Sequence, residues 1–136
     1  MTAVLVDSKV ILDILTEDPK WFAWSSAAMK RAGDRSRLVI NPIVYGEVSV
    51  RFSRIEELDA AIPSSPFARE PIPFAAAVLA ANASITYRYR GGMQSSRLLD
   101  FLMGAHAAIA GYDLFTRDRG RFKTCFPTLS LIGPSG

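Results

Sequence analysis

The sequence predicts an α/β sandwich with a mainly parallel central sheet, helices on both faces and one domain spanning residues 1–136. Three observations predict it. Short apolar runs of strand length recur at Ala3–Val6, Arg37–Ile40, Asp113–Thr116 and Leu129–Ile132, as in strands covered on both sides. Segments of helical composition separate them, which implies crossover connections. Two of the runs are followed at once, or two residues on, by Asp7 and Asp118, at the strand ends where open parallel sheets gather their functional groups.

Each element has its own warrant. Ala3-Val-Leu-Val6 stops abruptly at Asp7, and residues 9–15 then carry a helical pattern. Asp18-Pro19 supplies an N-cap with proline at the first helical position, opening a helix that Gly33 closes. Arg37–Ile40 repeats the strand pattern, and Asn41-Pro42 repeats the cap for a helix through about Phe52. Residues 55–61 form a further short helix. Pro63, Pro66, Pro71 and Pro73 mark a connecting segment with one short strand near Glu70–Ile72. Phe74–Arg90 is an alanine-rich helix, Gly91-Gly92 begin a loop to about Arg97, and Leu98–Tyr112 is the next helix. The strand 113–116 leads to Arg117-Asp118, and the strand 129–132 precedes a Gly/Pro tail. There is no internal repeat and no low-complexity segment.

With 136 residues, 49% of them hydrophobic and 21% charged, the chain is sized for a core of its own. It lacks the pattern of a secretory signal, and charged residues interrupt every apolar stretch before it reaches membrane-spanning length, so a soluble, cytoplasmic protein without membrane contact is expected. A lone Cys125 agrees with a reducing compartment. The net charge is +3, with Arg88, Arg90 and Arg97 in one group and Arg117, Arg119, Arg121 and Lys123 in another. Such groups suit a polyanion such as nucleic acid, or are simply solvated helix and loop charges.

Four carboxylates carry the chemistry. Asp7 and Asp118 follow strands, although either alone could be a turn or cap residue. Glu47 lies beside the apolar stripe of Ile43–Val50, or else pairs with Arg51 at i, i+4. Asp100 sits in the first turn of a helix with no other charge before Asp113, where it could merely complement the helix dipole. Together they would repel one another at a sheet edge and be costly to desolvate without a cation. Oxygen ligands favour Mg²⁺ or Mn²⁺ over zinc, because Cys125 and His106 are too few for a thiolate or imidazole site.

The segments VLVDSKVILDIL, INPIVYGEVSV and LLDFLMGAHAAIAGYDLFTRDRGRF resemble the successive motifs of the PIN-domain ribonucleases, specifically the VapC-type toxins of toxin–antitoxin pairs. The likeness spans nearly the whole chain in the right order. It implies a PIN-like α/β/α sandwich and a metal-dependent endoribonuclease, with Asp7, Glu47, Asp100 and Asp118 as the acidic cluster. Asp7 and Asp100 would hold the primary metal, with Asp118 in support and Glu47 orienting water or serving a second ion. Thr116 matches the small hydroxyl residue that precedes the last acid. Thr116, Arg117 and Arg119 are the candidate substrate-binding residues. The partners implied are an RNA substrate, a cognate VapB-type antitoxin and a second copy of the chain in a homodimer.

The chain departs from the family pattern at Lys9, where asparagine or a small polar residue is usual, and at Leu99, where proline is frequent. Lys9 either neutralises the acids in place of a metal or reaches solvent and phosphate, and a retained but altered site is the favoured reading. The alternative function is a catalytically silent PIN-fold binding module with Lys9 filling the metal site. A phosphatase or phosphoacceptor reading lacks the Asp-x-Asp form, since the sequence is Asp7-Ser-Lys9. His106 and Cys125 are expected to be packing residues. Trp21-Phe-Ala-Trp24 spreads three aromatics over more than one helical face, so that at least one stays exposed as a partner surface, unless they form a wide buried stripe.

Overall fold

The computed structural model describes residues 2–89 and 98–135. Its elements run β1 (Ala3–Val6), α1 (Ser8–Leu15), α2 (Phe22–Arg35), β2 (Arg37–Ile40), α3 (Pro42–Ser49), α4 (Ile55–Ala61), β3 (Phe67–Arg69), α5 (Phe74–Tyr89), α6 (Leu98–Ala110), β4 (Asp113–Phe115), α7 (Arg119–Cys125) and β5 (Leu131–Ile132). All strand pairings are parallel, in the order β3-β2-β1-β4-β5, as the α/β reading requires.

The strand order fixes the layers. The chain steps from β1 to β2 to β3 in one direction, then crosses back over β1 to reach β4 and β5. Right-handed crossovers place the helices of these two movements on opposite faces of the sheet. Accordingly α1 packs on α2 and α3, while α5 packs on α6, and α6 on α7. The central strand β1 is buried throughout, as are Val39, Ile40, Leu114 and Phe115.

Several boundaries differ from the sequence expectation, each for a local reason. Asp18 does cap, accepting from the backbone N–H groups of Lys20 and Trp21, both at 2.9 Å. It caps a turn, however, and the regular helix begins only at Phe22. Gly33 does not end α2. The chain leaves instead through extended Ser36 (φ −143°, ψ 163°) into β2, with no need of a left-handed glycine. α3 stops at Ser49 rather than Phe52, where bonds from Arg51 to Val48 and from Phe52 to Ser49 tighten the last turn. The strand expected at Glu70–Ile72 lies at Phe67–Arg69, because Pro71 has no N–H for a ladder. The helix α6 ends at Ala110, where Gly111 adopts φ 74°. The last strand is confined to Leu131–Ile132. The helix α7 was not anticipated at all. The loop expected from Gly91 to Arg97, and the cations Arg90 and Arg97, lie outside the described residues.

α6 lies very close to the segment after α7. A Cβ on Gly104 would stand 2.4 Å from Phe126 Cε2, so only glycine lets the buried Phe126 ring lie against the helix there. That contact fixes α7 relative to the first turn of α6, which carries Asp100.

Candidate active site

The carboxyl end of β1 is the origin of the site. The register pairs Val6 with Phe115, and the Asp7 N–H donates to the Phe115 carbonyl at 2.9 Å. The next residues on each strand, Asp7 and Thr116, are therefore neighbours. Thr116, fully buried, donates its hydroxyl to Asp7 Oδ2 at 2.9 Å and accepts the Asp118 N–H at 3.1 Å. One hydroxyl thus orients Asp7 and the turn that carries Asp118. Having no exposed surface in the structure, Thr116 acts on the site through the acids it orients.

Glu47 comes in from α3. Its Oε1 accepts the Ser8 hydroxyl at 2.7 Å, a partner the sequence reading missed. Among the described residues Glu47 forms no ion pair with Arg51, so the surface-pair alternative is not what the fold uses. Asp100 arrives on the first turn of α6 and Asp118 at the N-cap position of α7.

Asp7, Glu47, Asp100 and Asp118 line one cavity of about 300 Å³ together with Ser8, Lys9, Arg121 and Phe122. Burial pushes the Asp7 carboxyl above its ordinary pKa. The Thr116 hydrogen bond opposes that rise, while the charges of Glu47 and, more weakly, Asp100 add to it. A half-buried carboxylate among like charges is the setting that a cation relieves. The donor set is all oxygen and suits a hard divalent ion. Among the described residues, no three of these side chains converge as a formed metal cluster.

The basic residues have separate fates. Arg121 contacts Asp100 Oδ2 through Nη1, and its Nε stands 3.4 Å from Asp118 Oδ2. Arg117 turns away, with Nε 3.0 Å from Asp13 Oδ2 and its guanidinium 4.8 Å from the Trp21 ring centroid. Arg119 is exposed and donates to the Pro134 carbonyl at 3.3 Å. Lys9 is exposed at the cavity wall and forms no ion pair among the described residues.

His106 is remote from the acids. Asn41 Oδ1 is committed to the Val44 N–H at the α3 cap, so its Nδ2 faces His106 Nδ1 at 3.0 Å. Nδ1 is then the acceptor, which leaves the proton on Nε2. Burial lowers the pKa of this imidazole and keeps it neutral. Burial raises that of the Cys125 thiol, as befits an unreactive packing residue. Of the three aromatics at 21–24, Phe22 is exposed, while Trp24 lies edge-on to Phe115 at 5.7 Å.

Residues 4–126 match the model of the PIN domain family. The chain belongs to the PIN domain family. This PIN domain superposes on solved structures that share its fold at low sequence identity. VapBC2 from Rickettsia felis, bound to a DNA fragment from its promoter, has a TM-score of 0.75 at 14% identity, covering 98% of this chain and 100% of that one. VapBC-1 from nontypeable Haemophilus influenzae has a TM-score of 0.71 at 15% identity, covering 97% and 98%. A toxin–antitoxin complex from Klebsiella pneumoniae has a TM-score of 0.65 at 18% identity, covering 97% and 98%. No curated protein sequence matches the chain. Among the described residues no helix is long and apolar enough to cross a membrane.

Proposed function

We propose that this PIN domain is a Mg²⁺- or Mn²⁺-dependent endoribonuclease, the toxin of a toxin–antitoxin pair, neutralised by a cognate antitoxin. The observation that carries the reading is the meeting of four carboxylates, from four separate segments of the chain, in one cavity at the carboxyl end of a parallel sheet. The fold-level likeness to VapBC assemblies and to a toxin–antitoxin complex supports the antitoxin as partner.

Asp7, Asp100 and Asp118 would hold the ion, with Glu47 beside it. A divalent ion so held supplies Lewis acidity toward the scissile phosphate and a water of lowered pKa. The chain's own residues do the rest. Thr116 fixes the Asp7 carboxylate, and Ser8 fixes one oxygen of Glu47, leaving Oε2 to orient the attacking water. Exposed Arg119 and Lys123, on the helix that begins just after Asp118, lie where a phosphate backbone gains affinity without sequence readout.

A second reading, the silent binding module, draws on Lys9 lining the same cavity. Cleavage of total cellular RNA by the purified chain separates the two. The nuclease reading expects discrete products with Mn²⁺ that disappear with EDTA and in Asp100→Asn. If the folded wild type is inert and binds no Mn²⁺, while Lys9→Asn binds it, the silent module is correct.

A further inference from the structure

The acidic cavity already contains cations of the chain's own. Its lining carries four carboxylates and two basic side chains, Lys9 and Arg121, a formal charge of −2 with all six ionised. Lys9 pairs with none of the acids, whereas Arg121 engages Oδ2 of both Asp100 and Asp118. These two acids come from different elements, the start of α6 and the N-cap position of α7, and Arg121 joins them from the first turn of α7. Asp7 and Glu47 are held instead by the neutral hydroxyls of Thr116 and Ser8. The cavity is therefore divided: one pair of acids is fixed by hydroxyls, and the other is neutralised by a guanidinium.

We propose that Arg121 is an internal counter-ion that competes with the divalent cation for Asp100 and Asp118, so that occupation of the metal site requires the guanidinium to withdraw. The inference rests on the metal-site reading of the same cavity. Two features make the withdrawal feasible. The neighbouring residue Phe122 is buried at 3% exposure and anchors α7, so the Arg121 side chain can move without the helix. The Arg121 side chain is 38% exposed, against 32% for Asp100 and 41% for Asp118, and ion pairs in such surroundings are weak and readily exchanged. The competition is also chemically direct, because a guanidinium and a hard cation both require the carboxylate oxygens. Arg121 reaches both acids at Oδ2, and no three-acid cluster is formed among the described residues.

The test is calorimetric titration of Mn²⁺ into the full wild-type chain, Arg121→Gln and the neutral, similarly long Arg121→Met, each checked for folding by circular dichroism. Removing the competitor tightens Mn²⁺ binding about three- to tenfold, the scale of one or two half-exposed ion pairs. It also enlarges the Mn²⁺-induced rise in Tm. Unchanged or weaker binding in both variants, with a wild type that binds, overturns the competition alone and makes Arg121 a residue that orients the acids for the metal. No Mn²⁺ binding by any of the three chains overturns the metal site itself, and the competition with it.

Discussion

Arg117 and Arg121 stand four residues apart, each against aspartate, and they do opposite work. The Asp13 side chain is only 3% exposed and also accepts the Ser25 hydroxyl at 2.7 Å, while Arg117 is 24% exposed and covered by Trp21. That pair joins the turn after β4 to α1 and α2. Asp13 is desolvated and the Arg117 Nε facing it is buried, although the contact lacks hydrogen-bond geometry, so removing Asp13 strands a largely covered cation. Arg121 and its two acids keep about a third of their surface in water, and each can exchange its partner at small cost. The same residue types build a rivet in one place and an exchangeable counter-ion in the other, and the depth of burial decides which.

The largest expected effect breaks the first of these. Asp13→Ala leaves Arg117 unpaired in a covered position and should cost about 3 kcal/mol in urea unfolding, whereas Asp100→Ala should cost less than about 1 kcal/mol. Equal losses would erase the distinction between the two pairs. Thr116→Val comes next. It removes the hydroxyl that orients Asp7 and receives the Asp118 N–H, and should lower the proposed RNA cleavage about tenfold, equivalent to roughly 1.4 kcal/mol, while Thr116→Ser retains it.

A third buried ionisable group extends the comparison to pH. Burial holds the His106 pKa below its ordinary 6.5, with Glu70 opposing the shift. The unfolded chain therefore binds the proton first as pH falls. The stability contributed by neutral His106 is complete above about pH 6.5 and declines as pH drops from there toward the folded-state pKa. Urea midpoints between pH 8 and 5.5 should fall more steeply for the wild type than for His106→Gln, and parallel slopes would show that another group governs this window. Arg121→Gln carries the smallest stability effect, within about 1 kcal/mol in the same unfolding assay. A loss as large as that of Asp13→Ala would make Arg121 structural.

Much of this was legible in the sequence, though unevenly. β1 and β2 have the expected bounds because four apolar residues followed by Asp7 or Asn41-Pro42 leave little freedom in where the strand ends. The four acids were legible because each stands at the end of a strand or within a nearly uncharged helical segment, where a carboxylate is conspicuous. α7 was not: Arg119–Cys125 carries three cations and a glycine, and only Phe122 of its residues is buried, so no periodicity marks a helix. The missed helix hid the role of Arg121, since the residue faces Asp100 only once α7 is placed against α6. The partner of Arg117 lies more than a hundred residues away in sequence, at Asp13, and local pattern cannot supply such a pairing. Hence Arg117 read as a substrate contact, whereas the fold engages it with Asp13 and Trp21. β3 was misplaced by three residues because a three-residue strand in a proline-rich segment has almost no pattern of its own.

The proposed function requires Asp7, Glu47, Asp100 and Asp118 to form one divalent-cation site. Anomalous diffraction from crystals of the chain grown with Mn²⁺ tests it most directly. A manganese peak is expected within the cavity these four carboxylates line, lost in Asp7→Asn. Manganese bound only elsewhere, or none in the cavity of well-ordered wild-type crystals at millimolar Mn²⁺, would contradict it.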